Sequence, residues 1–85
     1  MNDSLPDLNR TWRDTIAAPE YAVMLRELDD LGCTFEWKNL NGTPTFVAIC
    51  NGEIVGRQHA HAHPDNLMVV YDVLNQAADR VEILS

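Results

Sequence analysis

Apolar residues recur along this chain in two periods, and the switch between them divides it into elements. Leu5, Leu8, Trp12 and Ile16 stand three or four apart, the spacing of one helix face, and predict a short amphipathic helix from Leu5 to Ala17. Ser4 with Asp7 resembles a capping box at its start. Pro19 is suited to a first helical position, where a missing N–H costs nothing, and opens a second helix. Its apolar stripe is Tyr21, Met24, Leu25, Leu28 and Leu31, with Arg26, Glu27, Asp29 and Asp30 on the wet side and Gly32 in the place of a C-terminal cap.

The period then shortens to two. The segments CTFEWKNL, TPTFVAIC and EIVGRQHA are separated by Asn41-Gly42 and Asn51-Gly52. Asn-Gly is the strongest short-range hairpin signal, because a type I′ turn needs positive φ at both central residues. A two-residue loop at Asn41-Gly42 sets Leu40 opposite Thr43, Trp37 opposite Phe46, Phe35 opposite Ala48 and Cys33 opposite Cys50. The second turn sets Ile49 opposite Ile54 and Ala48 opposite Val55. After Pro64-Asp65 the helical period returns in Leu67, Val70, Tyr71, Leu74, Ala77, Ala78 and Val81. The predicted fold class is α+β: a three-stranded antiparallel meander with two helices packed on one face (α-β-β-β-α), preceded by a short N-terminal helix. Residues 1–18 form the N-terminal helical segment and residues 19–85 the α-β-β-β-α domain.

Alternation sorts the sheet residues into two sets. Phe35, Trp37, Phe46, Ala48, Cys50 and Val55 make the larger, aromatic face and are assigned to the core. Val47, Ile49 and Ile54 share the other face with Glu36 and Lys38. Two helices cover only one face of a three-stranded sheet, so this second cluster is expected to meet the N-terminal helix or a partner. Met68, Val69 and Val73 lie off the main stripe of the last helix, and a helix apolar on two sides touches two things.

The order of elements over residues 19–82 resembles that of the double-stranded RNA-binding domain. TFVAICNGEIVGRQHAHAHPDNLMVVYDVLNQAADRV is similar to that family's second half: an aromatic-led strand, an N-G turn, V-G, then a helix rich in small and apolar residues. The family binds RNA through a basic K-K-x-A-K at the start of its last helix. His63, Pro64, Asp65, Asn66 and Leu67 hold that place here, so the resemblance implies the fold without the RNA contact. A shorter stretch, NGEIVGRQHA followed by PDNLMVV, resembles a hairpin, V-G-R and helix found in small acidic phage-encoded anti-CRISPR proteins. That resemblance implies a class of function and no residue roles.

Charge sharpens this. Among 85 residues, thirteen acids face six bases, giving a net charge of -7, and Lys38 is the single lysine. A basic patch for phosphates has almost nothing to be built from, so direct nucleic-acid binding is not expected. A domain of this length buries only ~60% of its unfolded surface and leaves no deep cleft between lobes. The apolar runs are too short for a membrane span, and MNDSLPDLNR lacks the pattern of a signal peptide, so the expected location is cytoplasmic.

Candidate chemistry is sparse. His59, His61 and His63 stand at every second position, which on a strand puts them on one face about 7 Å apart. They are open to three readings: a metal site, a polar strand end, or a pH-responsive contact patch. Residues spaced along one strand converge poorly on an ion, so no metal is expected. Cys33 and Cys50 read as two small buried thiols. No nucleophile elbow, phosphate loop, dinucleotide fingerprint or zinc-protease motif is present, so neither enzyme activity nor a cofactor is expected.

The expectation is therefore a non-enzymatic protein-binding module. Its partner surface combines Asp29, Asp30 and Asp72 with the apolar Val47, Ile49, Ile54, Met68, Val69 and Val73. Asp14, Glu20, Glu27 and Asp79 add to the field that steers a basic partner. The partner is a protein, such as a nucleic-acid-binding host complex met by an inhibitor of the anti-CRISPR type. An adaptor or homodimerisation domain on a degenerate double-stranded RNA-binding-type scaffold is the alternative.

Overall fold

Both Asn-Gly turns form in the computed structural model, which describes residues 5–81. Asn41 and Asn51 each have φ 54°, and Gly42 and Gly52 have φ 81° and 82°, the doubly positive geometry of a tight hairpin. They join β1 (Cys33–Leu40), β2 (Thr43–Cys50) and β3 (Glu53–His59) into an antiparallel meander. The helices are α1 (Leu5–Thr11), which continues as a 3-10 turn over Trp12–Thr15, α2 (Pro19–Asp30) and α3 (Asn66–Val81). The fold is α+β in the order expected, with α3 packed on the sheet. The proposed cap at Ser4 lies outside the described residues.

The first hairpin has the expected register, with Trp37 opposite Phe46 and Cys33 opposite Cys50. The second departs from it. Ile49 pairs with Ile54, but Ala48 pairs with Gly56, because a bulge intervenes between Ala48 and Ile49. A bulge sets two residues of one strand against one of the other and breaks strict alternation. Val55 and Gly56 are both buried as a result. A Cβ on Gly56 would lie 2.9 Å from the Val73 carbonyl oxygen and 3.2 Å from Gln76 Cβ, so β3 and α3 approach as only glycine allows. Gly56→Ala is expected to cost about 1–3 kcal/mol, measured by chemical denaturation, through forced separation of α3 from the sheet. A neutral result would mean that the helix shifts freely.

Phe46, fully buried, is the centre of the core. Its ring lies 4.8 Å from Trp12, 5.2 Å from Trp37 and 6.2 Å from Phe35. Leu25 and Leu28 of α2 and Val69, Val70, Val73, Leu74 and Ala77 of α3 close over this aromatic face. The expected continuous helix to Ala17 tightens at Trp12 into a 3-10 turn, and Trp12 is buried among the sheet aromatics. The N-terminal segment therefore covers the aromatic face and leaves the opposite face open.

Side-chain amides occupy the outer edges of the sheet. Asn9 Nδ2 donates to the Trp37 carbonyl at 3.0 Å, and Asn9 Oδ1 accepts from the Trp37 N–H at 2.6 Å. One amide thus makes both bonds that another strand would make on β1. On β3, the Arg57 N–H donates to Gln76 Oε1 and the His59 N–H to Gln58 Oε1, each at 3.2 Å. Filled edge groups discourage edge-to-edge pairing with other chains.

Candidate binding surface

The open face of the sheet consists of three cross-strand rows fixed by register: Thr34–Ile49–Ile54, Glu36–Val47–Arg57, and Lys38–Thr45–His59. The first row is its apolar end. Ile54 is 47% exposed and Ile49 is half-buried. Val47 was expected to belong to this patch, yet it is only 1% exposed. It sits mid-strand between Glu36 and Arg57, and long side chains of this kind lay their carbon stems over a central apolar neighbour. Lys38 Nζ lies 3.7 Å from Glu36 Oε2, so charge on this face is partly internal.

Val69 and Val73 also depart from expectation: both are fully buried and cannot meet a partner in this fold. The doubly apolar α3 touches the sheet, α2 and the Trp12–Thr15 turn, all within the chain. Met68 alone of that trio is exposed, at 47%.

Two of the acidic residues are engaged. Asp29 receives a two-pronged bond from Arg13, at 3.0 and 3.2 Å, and the Arg13 guanidinium carbon stands 4.7 Å from the Trp12 ring centre. Asp29 thereby ties α2 to the turn that inserts Trp12. Asp72 accepts from Gln58 Nε2 at 3.0 Å and lies 3.4 Å from His63 Nε2. The Gln58 bond, above all, holds the Asp72 carboxyl below its ordinary value; burial, the next effect in size, opposes it, and His63 and Gln76 add to the lowering. A depressed carboxylate contributes stability above its unfolded value that is lost as pH falls through the folded one. Asp72→Asn should therefore flatten the acid limb of the stability profile, read by urea denaturation from about pH 7 to about pH 3. An unchanged limb would assign that loss to other carboxylates.

Asp30 remains exposed at the end of α2. Beside it is Leu31, 49% exposed, whose carbonyl accepts from the Cys50 thiol at 3.8 Å. Cys50 pairs with Glu53, next to Ile54. Asp30, Leu31 and Glu53 thus lie at the Cys33–Cys50 end of the sheet on the side of its helix face, while Ile49 and Ile54 point to the open face. Leu31 escapes sequence reasoning because it fits the α2 stripe; its place at the end of that stripe, just before Gly32, was the available signal.

The histidines do not line a strand. β3 ends at His59, and Ala60–Ala62 form a 3-10 turn. His59 and His61 have ring centres 6.4 Å apart, while His63 turns to Asp72. Among the described residues, no three His, Cys, Asp or Glu side chains are grouped to hold an ion. Cys33 and Cys50 are buried free thiols, and Cys33 is pushed up to about 12 by burial and then by its hydrogen bond with Cys50. A thiol so held is a poor nucleophile.

Where the RNA-binding family places lysines, Asp65 caps α3. Its Oδ1 accepts the Leu67 N–H at 3.0 Å, and its carbonyl accepts from Met68 and Val69. Arg10, Arg13 and Lys38 each have an acidic partner.

Comparison with protein-family models, curated proteins and solved structures finds no match. The α-β-β-β-α order and antiparallel three-stranded sheet are consistent with a double-stranded RNA-binding-type fold. No helix among the described residues is long and apolar enough to cross a membrane.

Proposed function

We propose that this chain is a non-enzymatic protein-binding module that covers a basic, nucleic-acid-binding surface of a host protein complex, in the manner of an anti-CRISPR inhibitor acting in the cytoplasm. The observation that carries the reading is the net charge of -7, joined to an open sheet face where exposed Ile54 and half-buried Ile49 adjoin the row of Glu36 and Arg57. An apolar centre with a charged rim is the anatomy of a protein interface. The rim speeds encounter with a basic partner, and the centre slows its release.

The test is to capture host proteins on the immobilised chain, then ask by gel shift whether the captured complex loses its nucleic acid as free chain is added. Displacement is expected, with association slowed by salt. A captured complex that keeps its nucleic acid, or tight salt-sensitive binding of duplex RNA by the chain alone, would overturn the reading.

The topology favours a second reading, a dimerisation or adaptor domain on a degenerate RNA-binding-type scaffold. Sedimentation of the purified chain separates the two, since only this reading expects a concentration-dependent dimer that Ile54→Asp dissolves.

A further inference from the structure

At the Asn41-Gly42 end of the open sheet face lies a groove of about 520 Å³, and no acid lines it. Its walls carry Arg57, His59 and His61, beside Leu40, Asn41 and Thr43 of the first hairpin. Arg57 and His59 stand two apart on β3, so the pleat sends both to the same face, about 7 Å apart. The 3-10 turn after His59 then brings the His61 ring to 6.4 Å from that of His59, while His63 leaves for Asp72. Arg10, Arg13 and Lys38 are each matched to an acid. Among the described residues, the Arg57 guanidinium and the imidazoles of His59 and His61 have no hydrogen bond or ion pair. Glu36 is the one acid in the three rows of this face, and it lies 3.7 Å from Lys38. A chain with a net charge of -7 thus keeps an acid-free pocket of unpaired donors.

We propose that this groove is a binding site for a single phosphate group, free or as the monoester of a small molecule, with Arg57 as its anchor and His59 and His61 as further donors. The planar guanidinium offers paired N–H groups that match two oxygens of an oxyanion. A neutral imidazole adds one N–H, and a protonated one adds two. Charge-assisted N–H···O bonds are about 2.8 Å long, so rings 6.4 Å apart can both reach one tetrahedral anion. A phosphate monoester has three strong acceptor oxygens and nearly two charges, enough for all three side chains, whereas a carboxylate is held by the guanidinium fork alone. The net charge does not forbid this, because exposed charges farther off than about 8 Å are largely screened at physiological salt. It does oppose a polyanion: a nucleic acid needs a row of cations, and this groove holds a single arginine. The site lies at the far end of the open face from Ile49 and Ile54, so it goes beyond the partner surface and does not depend on it.

The probes are inorganic phosphate and phenyl phosphate, with acetate as the carboxylate control, each exchanged for sodium chloride at constant ionic strength and neutral pH. They are titrated into the full, untagged chain labelled with ¹⁵N while its amide and imidazole resonances are followed. Both phosphates are expected to shift the resonances of Arg57, His59 and His61 saturably, and acetate to leave them nearly unmoved. Arg57→Ala is expected to weaken phosphate binding about tenfold to a hundredfold, the worth of a hydrogen bond to a charged group. His59→Ala and His61→Ala are each expected to weaken it about threefold to tenfold. Arg80→Ala, which removes the same charge from the last turn of α3, is expected to change nothing. All four side chains are exposed, so each variant should keep the parent's amide spectrum outside the substituted site. Whichever phosphate binds more tightly identifies the source, and either order upholds the site. Shifts that grow without saturation, acetate binding as tightly as phosphate, or an Arg80→Ala loss equal to that of Arg57→Ala would each overturn the proposal, showing diffuse attraction in place of a site.

Discussion

Trp37→Ala is expected to remove about 3–5 kcal/mol of folding stability, read from the shift of a chemical denaturation midpoint. Trp37 is almost wholly buried, and its ring meets Phe46, the aromatic centre of the core, at 5.2 Å. Truncation removes the largest buried side chain of β1 and leaves a void in the aromatic face. Both bonds from Asn9 go to the Trp37 backbone, so they survive the substitution, and the loss reports the side chain alone. Trp37→Phe should cost much less, because it keeps a ring and deletes a buried, unpartnered indole N–H. A loss below about 1 kcal/mol for alanine would mean that the aromatic face is not the principal core.

Val69→Asp and Ile54→Asp are expected to part company completely, although both place an acid on an apolar position. Val69 has no exposed surface and lies among α3 residues that face the core. An aspartate there buries an unpaired charge, which costs more than about 4 kcal/mol, against a total stability of order 5–15 kcal/mol for a domain. The variant should be unfolded or loosely packed at neutral pH by circular dichroism. Ile54 is 47% exposed, and its aspartate variant should fold within about 1 kcal/mol of the parent while losing the partner. A folded Val69→Asp would displace α3 from the core. An Ile54→Asp variant that binds normally would remove the open sheet face from the interface. Charge reversal is better placed at Asp30 than at Asp29, whose loss would also release Arg13 and the turn carrying Trp12.

The parts of this fold legible in the amino-acid order are those decided by neighbours in the chain. Asn41-Gly42 and Asn51-Gly52 impose their turns through local backbone preference, and a two-residue loop leaves β1 and β2 a single register, so Trp37 meets Phe46 without help from the rest of the molecule. The stripe of α2 and the helical period of α3 are local in the same sense. Periodicity states which residues share a face, but not how many neighbours that face will have. Val69 and Val73 looked surplus on α3 and are buried in the core, Val73 against β3 at Gly56, while Val47 looked open and is buried mid-strand between Glu36 and Arg57. Only tertiary packing decided that Trp12 enters the aromatic face, and that Asp29 and Asp72 spend their charge within the chain. The bulge at Val55 belongs with these, since β3 yields its alternation where α3 presses on Gly56. Each is a competition between long-range contacts, settled by volume and by pairing of buried polar groups, and neither quantity is carried by spacing along the chain.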